Sequence, residues 1–391
     1  MRVAPISLAP VLADLDARGL RRRRRTVRRL SVDTADIELD GLPCVDFCSN
    51  DYLGLSAHPR VTEAFIEAAR IHGVGARASH LITGHQSEHA ALEDELADFT
   101  GRERAILFST GYMANLGLAS ALVKKGGAVF GDRLNHASLI DAGRMSRALL
   151  HHYPHGDAAA LERQLAALDS GPALVLTDGV FSMDGDLAPL PQIAAACAKH
   201  GAFLAVDDAH GLGVIGAGGR GSLGHFGLTA REVPALVGTL GKGFGSFGAF
   251  VAGDEALIET LVQRARTYIY TTALPAAVAA ATRAALAVSI AESWRRERVL
   301  ALAQRFRALA QAAGLPLADS MTPIQPVLLG HAGAAVRASD KLLERGFFVA
   351  AIRPPTVPDG TSRLRVALSA AHRDADVEKL VAALSDCVMP E

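Results

Sequence analysis

From Glu88 to Gly253 short apolar runs alternate with helical patterns, and this alternation constrains the fold more than any other feature of the chain. The runs AILFS, GAVF, ALVLT, AFLAV, ALVGT and GAFVAG carry almost no polar residues, unlike a strand with one solvated face. Several are separated by helical segments: EHAALEDELADF is amphipathic, and YMANLGLASALV and LPQIAAACAKH are rich in alanine and leucine. Strands apolar on both faces and separated by helices predict an α/β domain with a mainly parallel sheet covered by helices. After a helix-rich stretch from Leu274 to Gln311 the order changes. IQPVLL, a helix around Ala335 to Arg345, FFVAAI, LRVAL and a closing helix from about Asp374 form a smaller α+β unit. The division expected is 1–47 as an N-terminal helix, reaching roughly to Arg29, with short strands around Asp40-Gly41. A large domain follows over 48–285, and a small C-terminal domain over 286–391, joined to it by a helix.

The 391 residues, 50% of them hydrophobic, suffice for a large core, and a formal charge of -1 gives no global reason to expect nucleic acid. Cys44, Cys48, Cys197 and Cys387 have no C-x-x-C spacing, so reduced thiols are expected, with no metal site. The most apolar stretch, Leu274 to Ile290, is interrupted by Arg283 and dominated by alanine, which favours a packed helix over a membrane span. With no leader pattern at the start, the expectation is cytoplasmic. Arg21 to Arg25, continued by Arg28 and Arg29, is the strongest local charge anomaly. It reads first as a solvated helix face, with an anionic substrate or carrier, and Arg24 as its contact, as the alternative. No aromatic residue is interleaved with it, which argues against a single-strand nucleic-acid platform.

Gly211-Leu212-Gly213-Val214-Ile215-Gly216 matches the dinucleotide fingerprint, but its context fails. Asp207, Asp208, Ala209 and His210 separate it from the strand AFLAV, and the glycine-rich AGGRGSLGHFG after it is no helix opening. A compact loop is expected there instead.

Three strand ends carry chemistry. AFLAV runs into Asp207, with His210 three residues on, at the end of the strand where α/β sheets gather ligands. ALVGT leads into Thr239-Leu240-Gly241-Lys242-Gly243-Phe244-Gly245, a lone lysine in a glycine-bounded turn. Lys242 can form an imine with an aldehyde cofactor, and Thr239 can offer its hydroxyl to a phosphate. A Walker A loop is excluded because no Ser or Thr follows the lysine. The third end, Ser109-Thr110-Gly111-Tyr112, opens a helix whose unpaired N–H groups suit phosphate, with Tyr112 as a wall for a flat ring. Together they offer a phosphate cradle, an imine-forming amine and a carboxylate able to hold a pyridinium proton.

With these motifs the chain resembles the α-oxoamine synthases, pyridoxal-phosphate (PLP) acyltransferases of the aspartate-aminotransferase fold, fold type I. The resemblance runs from FCSNDYLGL to RLRVALSAAH and includes FSTGYMAN, DRLNHASLIDA, TDGVFSMDGD, VDDAHGLGVIG and GTLGKGFGSFGA. It implies that Lys242 carries PLP, that Asp207 partners the pyridine nitrogen, and that His210 donates to the phenolic oxygen. It further implies that His136 stacks on the ring, that Ser182 lies near the phenolic oxygen, and that Asn50 lies near the cofactor and the amino-acid carboxylate. Asp178 stands where the family often has glutamate. Arg353, in AIRPP, would receive the amino-acid carboxylate, a task that suits a planar bidentate donor. Thr271 and Thr272, in YIYTTALP, would reach the phosphate of a neighbouring subunit, which implies a homodimer. The tail AIRPPTVPDGTSRLRVALSAAH points to the member that joins L-alanine to a pimeloyl thioester, carried by coenzyme A or acyl carrier protein. A sister synthase using glycine or serine, or an aminotransferase, are the competing enzyme readings.

Overall fold

The computed structural model describes residues 7–388. They fall into two units: one takes the residues up to Ser49 and those from Ala301 onward, the other Asn50–Leu300.

Asn50–Leu300 is built on a seven-stranded sheet. Across the sheet the strands run Arg104–Phe108, Ala249–Gly253, Ala235–Thr239, Phe203–Asp207, Ala173–Asp178, Ala128–Asp132 and Leu149–Tyr153. Neighbours pair in parallel except at Ala249–Gly253, which is antiparallel to both of its neighbours. The expected apolar runs are therefore strands, and their lack of alternation has a plain cause: Ala249–Gly253 and Ala128–Asp132 are buried at every position. The helices Gly111–Leu122 and Ala137–Met145 share a core with them in which Leu118, Ala142, Leu174, Ala205 and Val251 meet. Leu149–Tyr153, with exposed Leu149, His151 and His152, is an edge strand that the apolar-run criterion passed over. Ala276–Ala291 is a helix with most of its side chains buried, as the alanine-rich pattern suggested. Among the described residues no single helix is long and apolar enough to cross a membrane.

In the other unit the expected long N-terminal helix is corrected. The helix is only Ala9–Ala17, and residues 1–6 of that expectation lie outside the described residues. Gly19 takes a left-handed conformation (φ 63°) just beyond it, and Arg21 to Arg25 follow without helical structure, every one exposed. On a helix their like charges would face each other at three- and four-residue spacing, which is destabilising. Arg21, Arg25 and Arg28 pair instead with Asp16, Asp40 and Glu38. Nor do these residues stand as a segment by themselves. The strand Leu42–Asp46 pairs in parallel with Phe347–Phe348, and Ile324–Gly330, Ser362–Ala367 and Ala350–Ile352 form a separate antiparallel sheet.

Candidate active site

Inside Asn50–Leu300 a cavity of about 200 Å³ opens at the strand ends. Gly111, Tyr112, His136, Ser138, Asp178, Ser182, Asp207, Ala209, His210, Thr239 and Lys242 line it, so most residues singled out from the sequence converge on one place. Asp207 ends its strand, buried, and its two oxygens accept from the Ala209 N–H at 3.1 Å and the Asn115 side-chain amide at 2.6 Å. The same amide also donates to Ser138 Oγ at 2.9 Å. Asn115 thus fixes both the carboxylate and the loop of His136. Sequence reading missed it because one polar residue in an apolar helix has no partner visible along the chain.

Lys242 sits at the tip of the turn joining Ala235–Thr239 to Ala249–Gly253, a turn closed by Gly245 N–H donating to the Lys242 carbonyl at 2.9 Å. Gly245 adopts φ 62°, and a β-carbon there would stand 2.5 Å from the Ser56 nitrogen. Only glycine fits that approach. At the foot of the turn the Thr239 hydroxyl donates to the Gly248 carbonyl at 3.2 Å, so it is engaged within the hairpin as well as lining the cavity.

Lys242 Nζ lies 2.8 Å from His210 Nε2, His210 Nδ1 lies 2.7 Å from the Tyr52 hydroxyl, and that hydroxyl donates to Asn50 Oδ1 at 3.2 Å. Each ring nitrogen of His210 therefore faces a polar neighbour, and the imidazole links the lysine to Tyr52 and Asn50. Tyr52 is fully buried and belongs to the SNDYLG motif, yet no role attached to it from sequence. Tyr52→Phe deletes this hydrogen bond while keeping the ring packing. The expected result is a fall in turnover of about tenfold, the equivalent of one net hydrogen bond, with thermal stability nearly unchanged; steady-state rates beside a melting curve check it.

On the opposite wall the buried Asp178 accepts the His136 backbone N–H at 2.6 Å, which gives this shortened carboxylate a positioning contact. Burial, reinforced by the charge of Asp207, holds the Asp178 pKa well above the ordinary carboxylate range. Burial also lowers that of His136, against the pull of Asp207. His136 Nδ1 accepts from the Ser138 N–H at 3.3 Å and faces Ser138 Oγ at 2.7 Å, which places the imidazole proton on Nε2. Thr110 caps the helix Gly111–Leu122 by accepting from the Met113 N–H, so the helix N-terminus opens beside the cavity. Close by, the glycine-rich loop is compact: no side chain fits at Gly211, where the Asp208 carboxylate packs against the backbone.

Thr271 and Thr272 do not line this cavity. Thr271 lies in a separate surface depression with Lys124, Lys125 and Arg266, and Thr272 bridges to Ser79. In the other unit Arg353 donates to the Arg21 carbonyl at 3.0 Å and lines a cavity of about 360 Å³ with Arg22, Arg23, Arg25 and Thr356. Arg22 donates to Thr356 Oγ1 at 3.2 Å. Arg24, the expected substrate contact, is exposed and lines a neighbouring depression with Arg21, Arg22, Arg23, Arg25 and Thr26.

Residues 43–384 match the family model described as aminotransferase class I and II. The chain is 58% identical over 369 residues to the 8-amino-7-oxononanoate synthase of Thioalkalivibrio sulfidiphilus, covering 94% of each chain. Against the 8-amino-7-oxononanoate synthase of Methylococcus capsulatus the identity is 57% over 383 residues, covering 98% of each. It belongs to the aminotransferase class I and II family, among the 8-amino-7-oxononanoate synthases. Solved structures of the family superpose closely. A serine palmitoyltransferase from S. paucimobilis, in a complex with PLP and myriocin, gives a TM-score of 0.92 at 31% identity, covering 97% of this chain and 96% of that one. The 8-amino-7-oxononanoate synthase of Francisella tularensis gives 0.77 at 33%, covering 88% and 97%.

Proposed function

We propose that this chain joins L-alanine to a pimeloyl thioester, releasing carbon dioxide and the carrier thiol, as the 8-amino-7-oxononanoate synthase step of biotin biosynthesis. The observation that carries the reading is the convergence of Lys242, Asp207, His136 and His210 on one cavity in a chain 58% identical to such a synthase. The donor set fits PLP. An amine stands ready for its aldehyde, a buried carboxylate for its ring nitrogen, and an open helix N-terminus for its phosphate. When bound, PLP makes the amino acid's α-carbon nucleophilic toward the thioester carbonyl and then allows loss of its carboxylate.

The chain's own residues do the rest. Asp207, held by Asn115, keeps the ring nitrogen charged. Lys242, hydrogen-bonded to His210, anchors the cofactor and then takes and returns the α proton. His136, neutral and fixed by Asp178 and Ser138, offers a flat face and the Nε2–H. Ser182 lines the same cavity. Arg353 is assigned the amino-acid carboxylate on its sequence signature and Arg24 an anionic substrate or carrier; Arg22, which donates to Thr356 and lines the cavity of Arg353, is a further contact for such an anion. The active form is assigned as a homodimer in which Thr271 and Thr272 serve the neighbouring site. Tyr270, Leu81 and Ile82, beside that strap, are large apolar side chains left exposed in the single chain, as a face covered by a second copy would be.

Purified protein offered L-alanine, glycine or L-serine with short, pimeloyl and palmitoyl thioesters, on coenzyme A and on acyl carrier protein, tests the reading by product mass. The expected product is 8-amino-7-oxononanoate, from alanine and the pimeloyl thioester only. Preferential formation of 2-amino-3-ketobutyrate or of a long-chain product overturns it.

A further inference from the structure

His155 lies in the loop that follows the edge strand Leu149–Tyr153, outside the cavity. Both of its ring nitrogens face carboxylates. Nδ1 is 3.1 and 3.2 Å from the two oxygens of Asp132, and Nε2 is 2.9 Å from Asp186 Oδ2. A neutral imidazole has one N–H and satisfies one such partner, whereas an imidazolium satisfies both. Asp132 also accepts the N–H groups of Leu134 and Gly156, at 2.8 Å each, donors that favour a carboxylate as acceptor. Phe181 packs against the imidazole in a T-shaped arrangement with ring centroids 4.4 Å apart.

The two carboxylates belong to different active-site loops. Asp132 ends the strand whose loop leads through Asn135 to His136; Asp186 closes the turn after Asp178 that carries Ser182, and its carbonyl accepts the Phe181 N–H at 3.0 Å. Those loops also meet through Asn135, which donates to the Leu176 carbonyl at 2.8 Å and accepts the Asp178 N–H at 3.1 Å. We infer that His155 is a positioning residue of the reaction: as a charged pin between Asp132 and Asp186 it fixes the wall carrying His136 to the wall carrying Ser182. The inference rests on the reading of the cavity as the PLP site. Burial disfavours the charge of His155, but the hydrogen bonds and charges of Asp132 and Asp186 outweigh it and push the pKa up to about 10. A folded-state pKa raised above the ordinary histidine value means the pin is fully present at low and neutral pH and is lost as pH rises through about 10. Among charged groups, those facing the imidazole are these two carboxylates.

The test compares wild type, His155→Gln, His155→Arg and Asp186→Asn as PLP-loaded enzymes, by steady-state kinetics and by hydrogen exchange of individual amides. Glutamine has one donor end, so it holds one carboxylate only; arginine has donors for both. His155→Gln should lower kcat about 10²-fold, the scale of an ångström-level misplacement, with KM for alanine little changed. Exchange at the His136 and Phe181 amides should quicken, while the core strand Phe203–Asp207 stays protected. His155→Arg should recover much of kcat and the slow exchange. If His155→Gln does not fold, Asp186→Asn decides: with one carboxylate gone the imidazolium pKa falls, and the alkaline limb of kcat should move to lower pH. Wild-type kcat and exchange in His155→Gln, or an unmoved alkaline limb in Asp186→Asn, overturns the inference. The exchange data do not depend on which thioester is the substrate, so failure of the pin and failure of the assigned reaction are told apart.

Discussion

Lys242→Ala is expected to reduce turnover by about 10⁴-fold, the upper range for removing one positioned proton-transfer group, because the same amine also anchors the cofactor. The variant should still fold: the turn is closed by backbone bonds from Gly245 to Lys242 and from Ser246 to Leu240, which alanine leaves in place. Borohydride treatment of the PLP-loaded wild type should fix the cofactor covalently to Lys242, detected as a mass increase on that peptide. The variant should bind PLP reversibly, lack the visible absorbance of the lysine-bound form, and take up no label. Label on any other lysine, or retained absorbance on the alanine variant, removes Lys242 from its role. Loss of the amine also frees His210 Nε2 from its 2.8 Å partner, so chemical rescue by small amines should be partial at best.

Asp207→Asn should cost about 10³-fold in turnover, the scale for removing a preorganised electrostatic partner from a water-poor site. The geometry makes the substitution sharper than a simple loss of charge. Both Asp207 oxygens already accept hydrogen bonds, from Ala209 N–H and the Asn115 amide, so an amide at 207 must turn its own N–H group toward one donor or toward the ring nitrogen. Either way the ring nitrogen loses the anion that keeps it protonated. PLP affinity, measured by dialysis against the visible band, should weaken alongside kcat. A variant with wild-type kcat would show that the charge is supplied elsewhere. Asn115→Ala should follow the same direction with a smaller effect, since it orients the carboxylate without supplying the charge.

Much of the site was legible because strand ends in a mainly parallel sheet converge. Asp207 and Lys242 each stand at or just beyond the end of an apolar run, and those runs are neighbouring strands. What escaped were partners whose role exists only across the fold. Tyr52 and Asn115 lie far along the chain from His210 and Asp207, and nothing local distinguishes either from an ordinary motif tyrosine or helix asparagine. The antiparallel direction of Ala249–Gly253 was equally hidden, since apolar runs carry no sign of direction; the short hairpin at Lys242 is the clue in retrospect. The arginine run misled for an electrostatic reason: helix propensity favours arginine singly, while five in succession need neighbours of opposite charge. Arg21, Arg25 and Arg28 find them in Asp16, Asp40 and Glu38, with the arginines themselves off any helix.

The reversed strand Ala249–Gly253 also sets an order of events in the life of the chain. It pairs with Arg104–Phe108 on one side and Ala235–Thr239 on the other, and so stitches the strand that leads to Thr110 onto the rest of the sheet only after the chain has passed Gly253. Until then Arg104–Phe108 has no neighbour in its own sheet, and the strands made after it can associate without it. A long sequence separation of this kind is slow to close and leaves an unpaired edge open in the meantime. The strand leading to Thr110 and the turn carrying Lys242 are therefore held in one sheet only once the reversed strand is in place between them.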